Sequence, residues 1–157
     1  ITHFDSHDHI HVLPGILEIC LDAATAHKVS SLRVPLETAP VGAPSLRRGL
    51  FGIALSALSQ RAARVARARG FTFPAGFSGF RGAGAIDTSS LIARIEGAGK
   101  GPTEIALHPA LSNPPRVDMQ NWGYRWSDEY DALLDPKTAK ALHECNGTAV
   151  SYRALAE

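Results

Sequence analysis

The chain contains 157 residues, of which 45% are hydrophobic and 20% are charged, and its formal net charge is +1. This composition is typical of one folded domain with a sizeable core, and it excludes a disordered tail and a disulfide-stapled miniprotein. No run of about 18 apolar residues occurs, so the sequence shows no membrane-spanning helix. The near-neutral charge gives no global attraction to nucleic acid.

The cysteines give an indication of the cellular location. Cys20 and Cys145 lie far apart, without the CxxC spacing of a zinc ribbon. We expect buried free thiols, which favour a cytoplasmic location because the cytoplasm is reducing. The chain opens at Ile1 rather than at a methionine, so we expect that upstream sequence precedes it.

Hydrophobic periodicity and Pro/Gly punctuation predict an alternation of strands and helices. The first half predicts a strand over Ile1 to Phe4, a helix within Leu13 to Val29, a short strand over Ser31 to Pro35, the loop TAPVGAP, and a long helix from about Ser45 to Arg69. The second half predicts an extended segment over Phe71 to Phe77, a helix capped by Asp87, a strand over Thr103 to Leu107, a structured loop over Ser112 to Arg116 and Trp122 to Trp126, helices over Ser127 to Leu134 and Pro136 to Glu144, and a last strand over Ala149 to Tyr152.

Such alternation predicts an α/β fold, with a mostly parallel sheet and flanking helices. A complete (β/α) barrel usually needs about 250 residues. We therefore expect an open sheet or part of a barrel whose first strands lie upstream. No repeat or linker divides the chain, so residues 1–157 are predicted to form a single domain. An incomplete barrel exposes strand edges and an apolar sheet face, which predicts a homo-oligomer.

Histidines are concentrated at the start of the chain, where four of the seven occur within eleven residues. If the first strand continues that far, alternation places one set of side chains on a common face, namely Asp5, His7, His9 and His11. Imidazole and carboxylate groups suit zinc, iron, manganese or magnesium, and the carboxyl ends of strands are where α/β sites assemble. The cluster is a candidate divalent metal site. The alternative is a set of solvated or hydrogen-bonded histidines at a strand end.

Three further candidates follow predicted strands. His108 ends the apolar stretch TEIAL just before a proline, where an imidazole can act as general acid or base or can be purely structural. Arg33 and Glu37 lie at the end of the second predicted strand. These two side chains either orient a substrate or form a surface ion pair with each other, which is worth about 0–1 kcal/mol.

An arginine-rich stretch lies in the middle of the chain. Between Thr38 and Ile86 there are seven arginines and no Asp, Glu or Lys. The stretch is either the solvated face of an amphipathic helix or a surface that holds the protein against an anionic membrane. No aromatic-interleaved basic motif accompanies it, so we expect no nucleic-acid partner.

Several motifs, taken together, resemble one known family. They are THFDSHDHIHVLPGI at the start, LRVPLE at 32–37, the GFTFPAGFSGF stretch before a helix, TEIALHPA at 103–110, and the closing YRWSDEYDALLDP and VSYRAL. They resemble the YdjC-like carbohydrate deacetylases, and within them the type associated with hopanoid biosynthesis (HpnK). The resemblance spans nearly the whole chain.

The resemblance implies the C-terminal portion of a (β/α) barrel deacetylase domain, which removes an acetyl group from an N-acetylated amino sugar with a divalent metal, magnesium or zinc. It implies that His7 is the metal ligand of the DSH element, supported by His9 and His11. By the same resemblance Asp5 and His108 are the catalytic candidates, with His108 protonating the departing amine. Arg33 and Glu37 match the R-x-P-x-E element and are the expected substrate-binding residues.

The family's Ala-Asp-Asp-Phe-Gly motif, which holds a base and a metal-binding aspartate, does not occur in residues 1–157. We expect it upstream. If the hopanoid-type resemblance holds, the substrate is a glycolipid, and the protein works in the cytoplasm, peripheral to the inner membrane face. Two alternatives stay open. One is a metal-dependent phosphoesterase, because clustered Asp and His also serve that class, and the other is a non-catalytic fragment or metal-binding remnant.

Overall fold

A computed structural model of the chain describes residues 1–37, 46–112 and 123–155. Within these ranges the helices are α1 (Ile16–Ala26), α2 (Leu46–Ala68), α3 (Thr88–Glu96), α4 (Trp126–Leu134) and α5 (Pro136–Glu144). The strands are β1 (Gly76–Ser78) and β2 (Thr103–Ile105), and two 3₁₀ segments cover His7–Val12 and Tyr152–Leu155. The predicted loop over 38–44 lies outside the described residues, as does most of the loop predicted between 112 and 126.

The sheet is parallel and small. Strands β1 and β2 pair with Phe77 opposite Glu104. Isolated parallel bridges extend this pairing backwards along the chain, joining Glu37 to Phe77, Ser31 to Thr72, and Phe4 to Leu32. Four extended segments therefore lie side by side in chain order and point the same way. The predicted α/β class with a mostly parallel sheet is confirmed, although the regular strands are shorter than predicted.

The main apolar core lies where α1 and α2 cover the first three extended segments. Leu17 and Leu21 of α1 are fully buried against Leu32, Ala62 and Phe71. Burial of each large side chain contributes about 1.5–3 kcal/mol. A second, smaller cluster, formed by Ile86, Leu91 and Ala132, lies where α3 meets α4. This second cluster fixes α4 near the end of β2, where His108 lies.

Part of the arginine-rich stretch holds the two N-terminal helices together. Arg61 of α2 donates a hydrogen bond to Glu18 of α1 at 2.7 Å, and Arg69 pairs with Asp22. The guanidinium of Arg67 lies 4.7 Å from the centroid of the Phe73 ring. Arg61 and Arg69 are therefore paired with carboxylates within the chain, and Arg67 packs on an aromatic ring.

Helix caps agree with the sequence. The predicted cap at Asp87 is confirmed, because its side chain accepts a hydrogen bond from the Ser90 N–H at 2.9 Å. Asp135 caps α5 in the same way, through the N–H of Lys137 at 2.9 Å. No helix in the described ranges is long and apolar enough to cross a membrane. Both cysteines are free, but Cys20 is only partly buried and Cys145 is exposed, so the prediction of buried thiols is wrong.

One predicted strand, and the considered continuation of another, are wrong. The His7–Val12 segment is a 3₁₀ turn, because Asp8 and His9 adopt positive φ angles of 53° and 58° and break the extended backbone. The predicted last strand over 149–152 is not formed. Instead, the ring of Tyr152 stacks on His3 and its hydroxyl reaches Glu104, so the chain end turns towards the sheet.

Candidate active site

The turn at the start of the chain gives the three predicted ligand histidines different surroundings. His11 is buried and both of its ring nitrogens are engaged, Nδ1 with Ser6 Oγ at 2.8 Å and Nε2 with the Arg33 carbonyl at 2.9 Å. A carbonyl only accepts, so Nε2 carries the proton and the Ser6 hydroxyl donates to Nδ1. Burial lowers the pKa of His11, which favours this neutral form.

His9 is half-buried and packs edge-on against the Phe77 ring, with the ring centroids 5.4 Å apart. Its Nδ1 atom is buried and has no hydrogen-bond partner in the structure. Burial lowers the pKa of His9 to about 4, and the nearby charge of Arg33 contributes to this shift. The ring is therefore neutral near pH 7.

His7, in contrast, is exposed. Its side chain is 90% accessible, and Nε2 lies 3.7 Å from Oδ2 of Asp8. The prediction that alternation places Asp5, His7, His9 and His11 on one strand face is thus wrong, because the positive φ angles at positions 8 and 9 turn the backbone between the histidines.

These positions decide whether the described residues fit a metal ion. Among residues 1–37, 46–112 and 123–155, no group of three or more His, Cys, Asp or Glu side chains is arranged to hold one. His11 has no ring nitrogen to offer, whereas the Nδ1 atom of His9 is one unpartnered donor atom. A structural metal site needs about four ligands and a catalytic one about three. The described residues therefore do not by themselves form a metal site.

Arg33 is the centre of a charged network that connects the first and last extended segments. Its Nη1 atom lies 2.5 Å from Oδ2 of Asp5. Its Nη2 and Nε atoms donate to Oε1 of Glu104, at 2.5 and 2.8 Å. The Arg33 guanidinium also lies 5.8 Å from the centroid of the Phe77 ring. Arginine is suited to this task because its rigid fork can hold two carboxylates at once.

The network continues to the end of the chain. The hydroxyl of Tyr152 donates to Oε2 of Glu104, and its ring stacks on His3 with centroids 3.7 Å apart. Burial raises the pKa of Tyr152, and Glu104 raises it further, so the hydroxyl stays a donor. Burial alone would lower the pKa of Arg33, but the bonds to Glu104 and the charge of Asp5 raise it.

Glu104 and Tyr152 were not among the residues predicted for the site. Glu104 stands inside a short apolar stretch, and Tyr152 is separated from it by 48 positions. An acidic residue in the centre of an apolar strand was the one available signal, because burying a carboxylate requires a partner.

Glu37 has a different setting from Arg33. One of its carboxylate oxygens accepts the N–H of Gly79 at 3.0 Å, and the other accepts the N–H of Arg81 at 3.1 Å. Ser78 Oγ donates to the same carboxylate at 3.4 Å. The ion pair between Arg33 and Glu37 that the sequence left open is not formed. Glu37 instead holds the loop that follows β1.

His108 follows β2, at the sequence-predicted position. Its side chain is 44% exposed, and its backbone N–H donates to Oε2 of Glu129 at 2.5 Å. Its ring meets the ring of Tyr124 with centroids 5.1 Å apart. Glu104 precedes His108 by four residues, which limits the distance between their Cα atoms to about 14 Å. His108 and the Arg33 network thus belong to one region of the protein.

Comparisons with known proteins identify the family of the chain. The model of one family, the YdjC-like proteins, matches residues 1–144. A carbohydrate deacetylase of Xenopus laevis is 46% identical over 35 residues, which are 22% of this chain and 11% of that protein. A carbohydrate deacetylase of Homo sapiens is 47% identical over 36 residues, which are 23% of this chain and 11% of that protein.

One solved structure shares the fold. It is that of a candidate cellobiose-phosphate cleavage protein from Enterococcus faecalis V583, which matches with a TM-score of 0.67 at 16% identity. The match covers 98% of this chain and 52% of that one. The present chain therefore spans about half of the length of this structural relative.

Proposed function

Because the chain belongs to the YdjC-like protein family, we propose that it is the C-terminal part of a carbohydrate deacetylase, which hydrolyses the N-acetyl group of an amino sugar. The observation that carries the proposal is the Arg33 bridge between Asp5 and Glu104, next to the segment that ends in His108. The bridge supplies an oriented carboxylate, and His108, four residues after Glu104, supplies an imidazole; a carboxylate and an imidazole can act as base and acid in amide hydrolysis.

Each residue has a role in this reaction. A carboxylate accepts a proton from the attacking water, and Asp5, whose side chain is 38% accessible and held by Arg33, is the candidate for this among the described residues. The water oxygen bonds to the acetyl carbon, and the carbon–nitrogen bond breaks. His108 donates a proton to the leaving nitrogen, so that acetate and a free amine result. Arg33 orients Asp5 and Glu104, while Glu37 supports substrate binding through the loop after β1.

Metal dependence is part of the proposal, with magnesium or zinc as the expected ion. The described residues supply at most part of such a site, so we assign no catalytic step to the metal. His7 and His9 are the proposed contributors, because His11 is fully engaged. Removing divalent ions with a chelator should abolish acetate release, and adding back single ions should identify the metal.

A lipid-linked sugar is the proposed substrate class. Leu50, Phe51 and Ile53 of α2 are 60–64% exposed. The Phe51 ring stacks on Phe80 at 6.2 Å, and Phe80 lies 5.9 Å from His9, so this apolar surface adjoins the site. Exposed apolar side chains next to a polar site suit a substrate with a sugar head and an apolar carrier. Such a substrate, of which a hopanoid is one form, would place the protein at the cytoplasmic face of a membrane.

Self-association is also proposed. Among the described residues the sheet comprises four extended segments, and open sheet edges favour pairing with a second copy. Light scattering in solution measures this directly, and a monomer at all concentrations would contradict it.

The deciding experiment measures acetate released from an N-acetylglucosaminyl lipid and from a soluble N-acetylated oligosaccharide. The wild-type protein, expressed with any sequence that precedes residue 1, is compared with the His108→Gln variant. We expect release by the wild type and a loss of about 100-fold or more in kcat for the variant. Phe51→Ser should weaken use of the lipid-linked substrate and leave the soluble one unchanged.

Two results would overturn the proposal. The first is the absence of acetate release with every divalent metal tested. The second is release of phosphate from a generic ester in place of acetate, which would favour a phosphoesterase. Full activity of the His108→Gln variant would exclude His108 as the acid, but it would not contradict the proposed deacetylase activity.

A further inference from the structure

The carboxylate of Glu129 lies beneath the proposed acid, His108, and is fully buried in α4. Its Oε2 atom accepts the backbone N–H of His108 at 2.5 Å and lies 3.8 Å from the Nδ1 atom of the same residue. Its Oε1 atom accepts the N–H of Ile86 at 3.4 Å. One side chain thus contacts both the backbone and the ring of His108.

A buried carboxylate is costly unless its charge is compensated. Glu129 lies in the first turn of α4, where the helix dipole favours a negative charge. The two backbone N–H groups add hydrogen bonds, and the buried guanidinium of Arg94 on α3 attracts the carboxylate. The surroundings therefore hold a charged acceptor in a fixed place against one edge of the imidazole.

We propose that Glu129 is a positioning residue that fixes the orientation of the His108 ring and keeps a proton on its Nδ1 atom. A carboxylate beside Nδ1 favours the Nδ1–H tautomer. Nε2 is then the atom that exchanges protons with the substrate. The catalytic consequence depends on the proposed deacetylase function, whereas the tautomer preference does not.

A purely structural role for Glu129 is the competing explanation. In that case its bonds to the N–H groups of Ile86 and His108 would only tie two chain segments to α4. Both explanations predict that removing Glu129 lowers stability. Only the positioning role predicts a change in the ring tautomer of His108.

The test is the nitrogen-15 spectrum of the histidine rings at pH 8, in protein labelled on histidine. The spectrum of His108→Gln assigns the signals of His108. We expect the Nδ1–H tautomer to dominate at His108 in the wild type, and the Nε2–H tautomer to gain in Glu129→Gln. Glu129→Asp, which keeps the charge, should restore part of the Nδ1–H signal. Asp131→Asn, at an exposed position on the same helix, is the matched control and should resemble the wild type.

A dominant Nε2–H tautomer in the wild type would overturn the proposal, even if Glu129→Gln fails to fold. An unchanged tautomer in a folded Glu129→Gln variant would do the same. In the active protein, Glu129→Gln should lower kcat about 10- to 100-fold with little change in KM. If the wild type releases no acetate while the tautomer result holds, the proposed function fails and the positioning of the ring stands.

Discussion

The hydroxyl of Tyr152 donates a hydrogen bond to Glu104, so the last described turn of the chain closes on the strand that leads to the proposed acid. Glu104 uses its other carboxylate oxygen for Arg33. Its two oxygens therefore connect the end of the chain to the segment that follows α1. The stability of the site should depend on both connections.

Replacing Tyr152 with phenylalanine keeps the ring that stacks on His3 but removes the hydrogen bond to Glu104. We expect the free energy of unfolding to fall by about 1–2 kcal/mol, because the bond has a charged acceptor in a half-buried place. Denaturant titration at pH 7 measures this. A variant as stable as the wild type would show that the hydrogen bond between Tyr152 and Glu104 does not contribute to the free energy of unfolding.

The same pair predicts a pH effect above neutrality. The pKa of Tyr152 is raised in the folded protein, so above about pH 10 the unfolded chain loses a proton that the folded one keeps. The stabilising contribution of Tyr152 is complete below that pH and declines above it. The stability difference between wild type and Tyr152→Phe should therefore shrink as the pH rises past 10.

Lysine at position 33 keeps the positive charge but cannot hold Asp5 and Glu104 together with three nitrogens. We expect Arg33→Lys to lower the free energy of unfolding by about 1–3 kcal/mol, since Glu104 loses donors in a mostly buried place. Arg64→Lys, at an exposed position on α2, is the matched control and should change stability little. Equal stability of both variants would show that a single positive charge at position 33 is enough to stabilise Asp5 and Glu104.

His9 predicts a loss of stability in acid. Its pKa is about 4 in the folded protein and about 6.5 when unfolded, so between these values the unfolded chain binds more protons. Stability should fall by up to about 3 kcal/mol as the pH drops from 6.5 to 4. Burial of His11 acts in the same direction.

His9→Asn is the variant that tests this, because asparagine tolerates the positive φ at this position and does not titrate. Denaturant titrations at pH 7 and pH 5 should show a smaller acid loss for the variant than for the wild type. Lys28→Asn controls for asparagine in this conformation, since Lys28 is exposed and has a φ of 57°. An identical acid loss in His9→Asn and wild type would exclude His9 as its source.

Gly84 supports the region around His108. A Cβ atom there would lie 2.1 Å from Cδ1 of Tyr124, and the φ of 77° disfavours any other residue. Gly84→Ala should therefore cost about 2–4 kcal/mol by displacing the Tyr124 ring, which contacts His108. Gly70→Ala is the matched control, because Gly70 has a similar φ of 78° and a Cβ there meets no atom within 4 Å. Thermal or denaturant unfolding of both variants decides the point.

The helices could be predicted from the sequence because each depends on local signals. The glycine that follows α2 at position 70, the cap at Asp87 and the proline at the start of α5 are all read within one or two turns. The parallel order of the extended segments followed from their alternation with helices. Strands β1 and β2 are only three residues long, and an alternating pattern cannot predict where such short strands begin and end.

The site could be predicted only in part. His108 and Arg33 were found because each lies near the end of a predicted strand, but the partners of Arg33 are distant in sequence, and Glu104 is 71 positions away. Both Glu37 and Glu104 lie opposite Phe77 in the sheet, so not even the register would have shown that Arg33 pairs with Glu104 rather than with Glu37. Glu129 and Tyr152 lie 21 and 48 positions from their contacts, and no local pattern marks them.

The left-handed turn at Asp8 and His9 changes how the histidine-rich start of the chain should be engineered. The side chain at position 8 points outward, yet its backbone torsion decides where the two following imidazoles go. Valine or isoleucine there would be disfavoured in this conformation and would misdirect both rings without removing a single nitrogen. Conversely, glycine or asparagine at position 8 should be tolerated. Substitutions at position 8 therefore test the orientation of the imidazole rings, whereas substitutions of the histidines themselves test their chemistry.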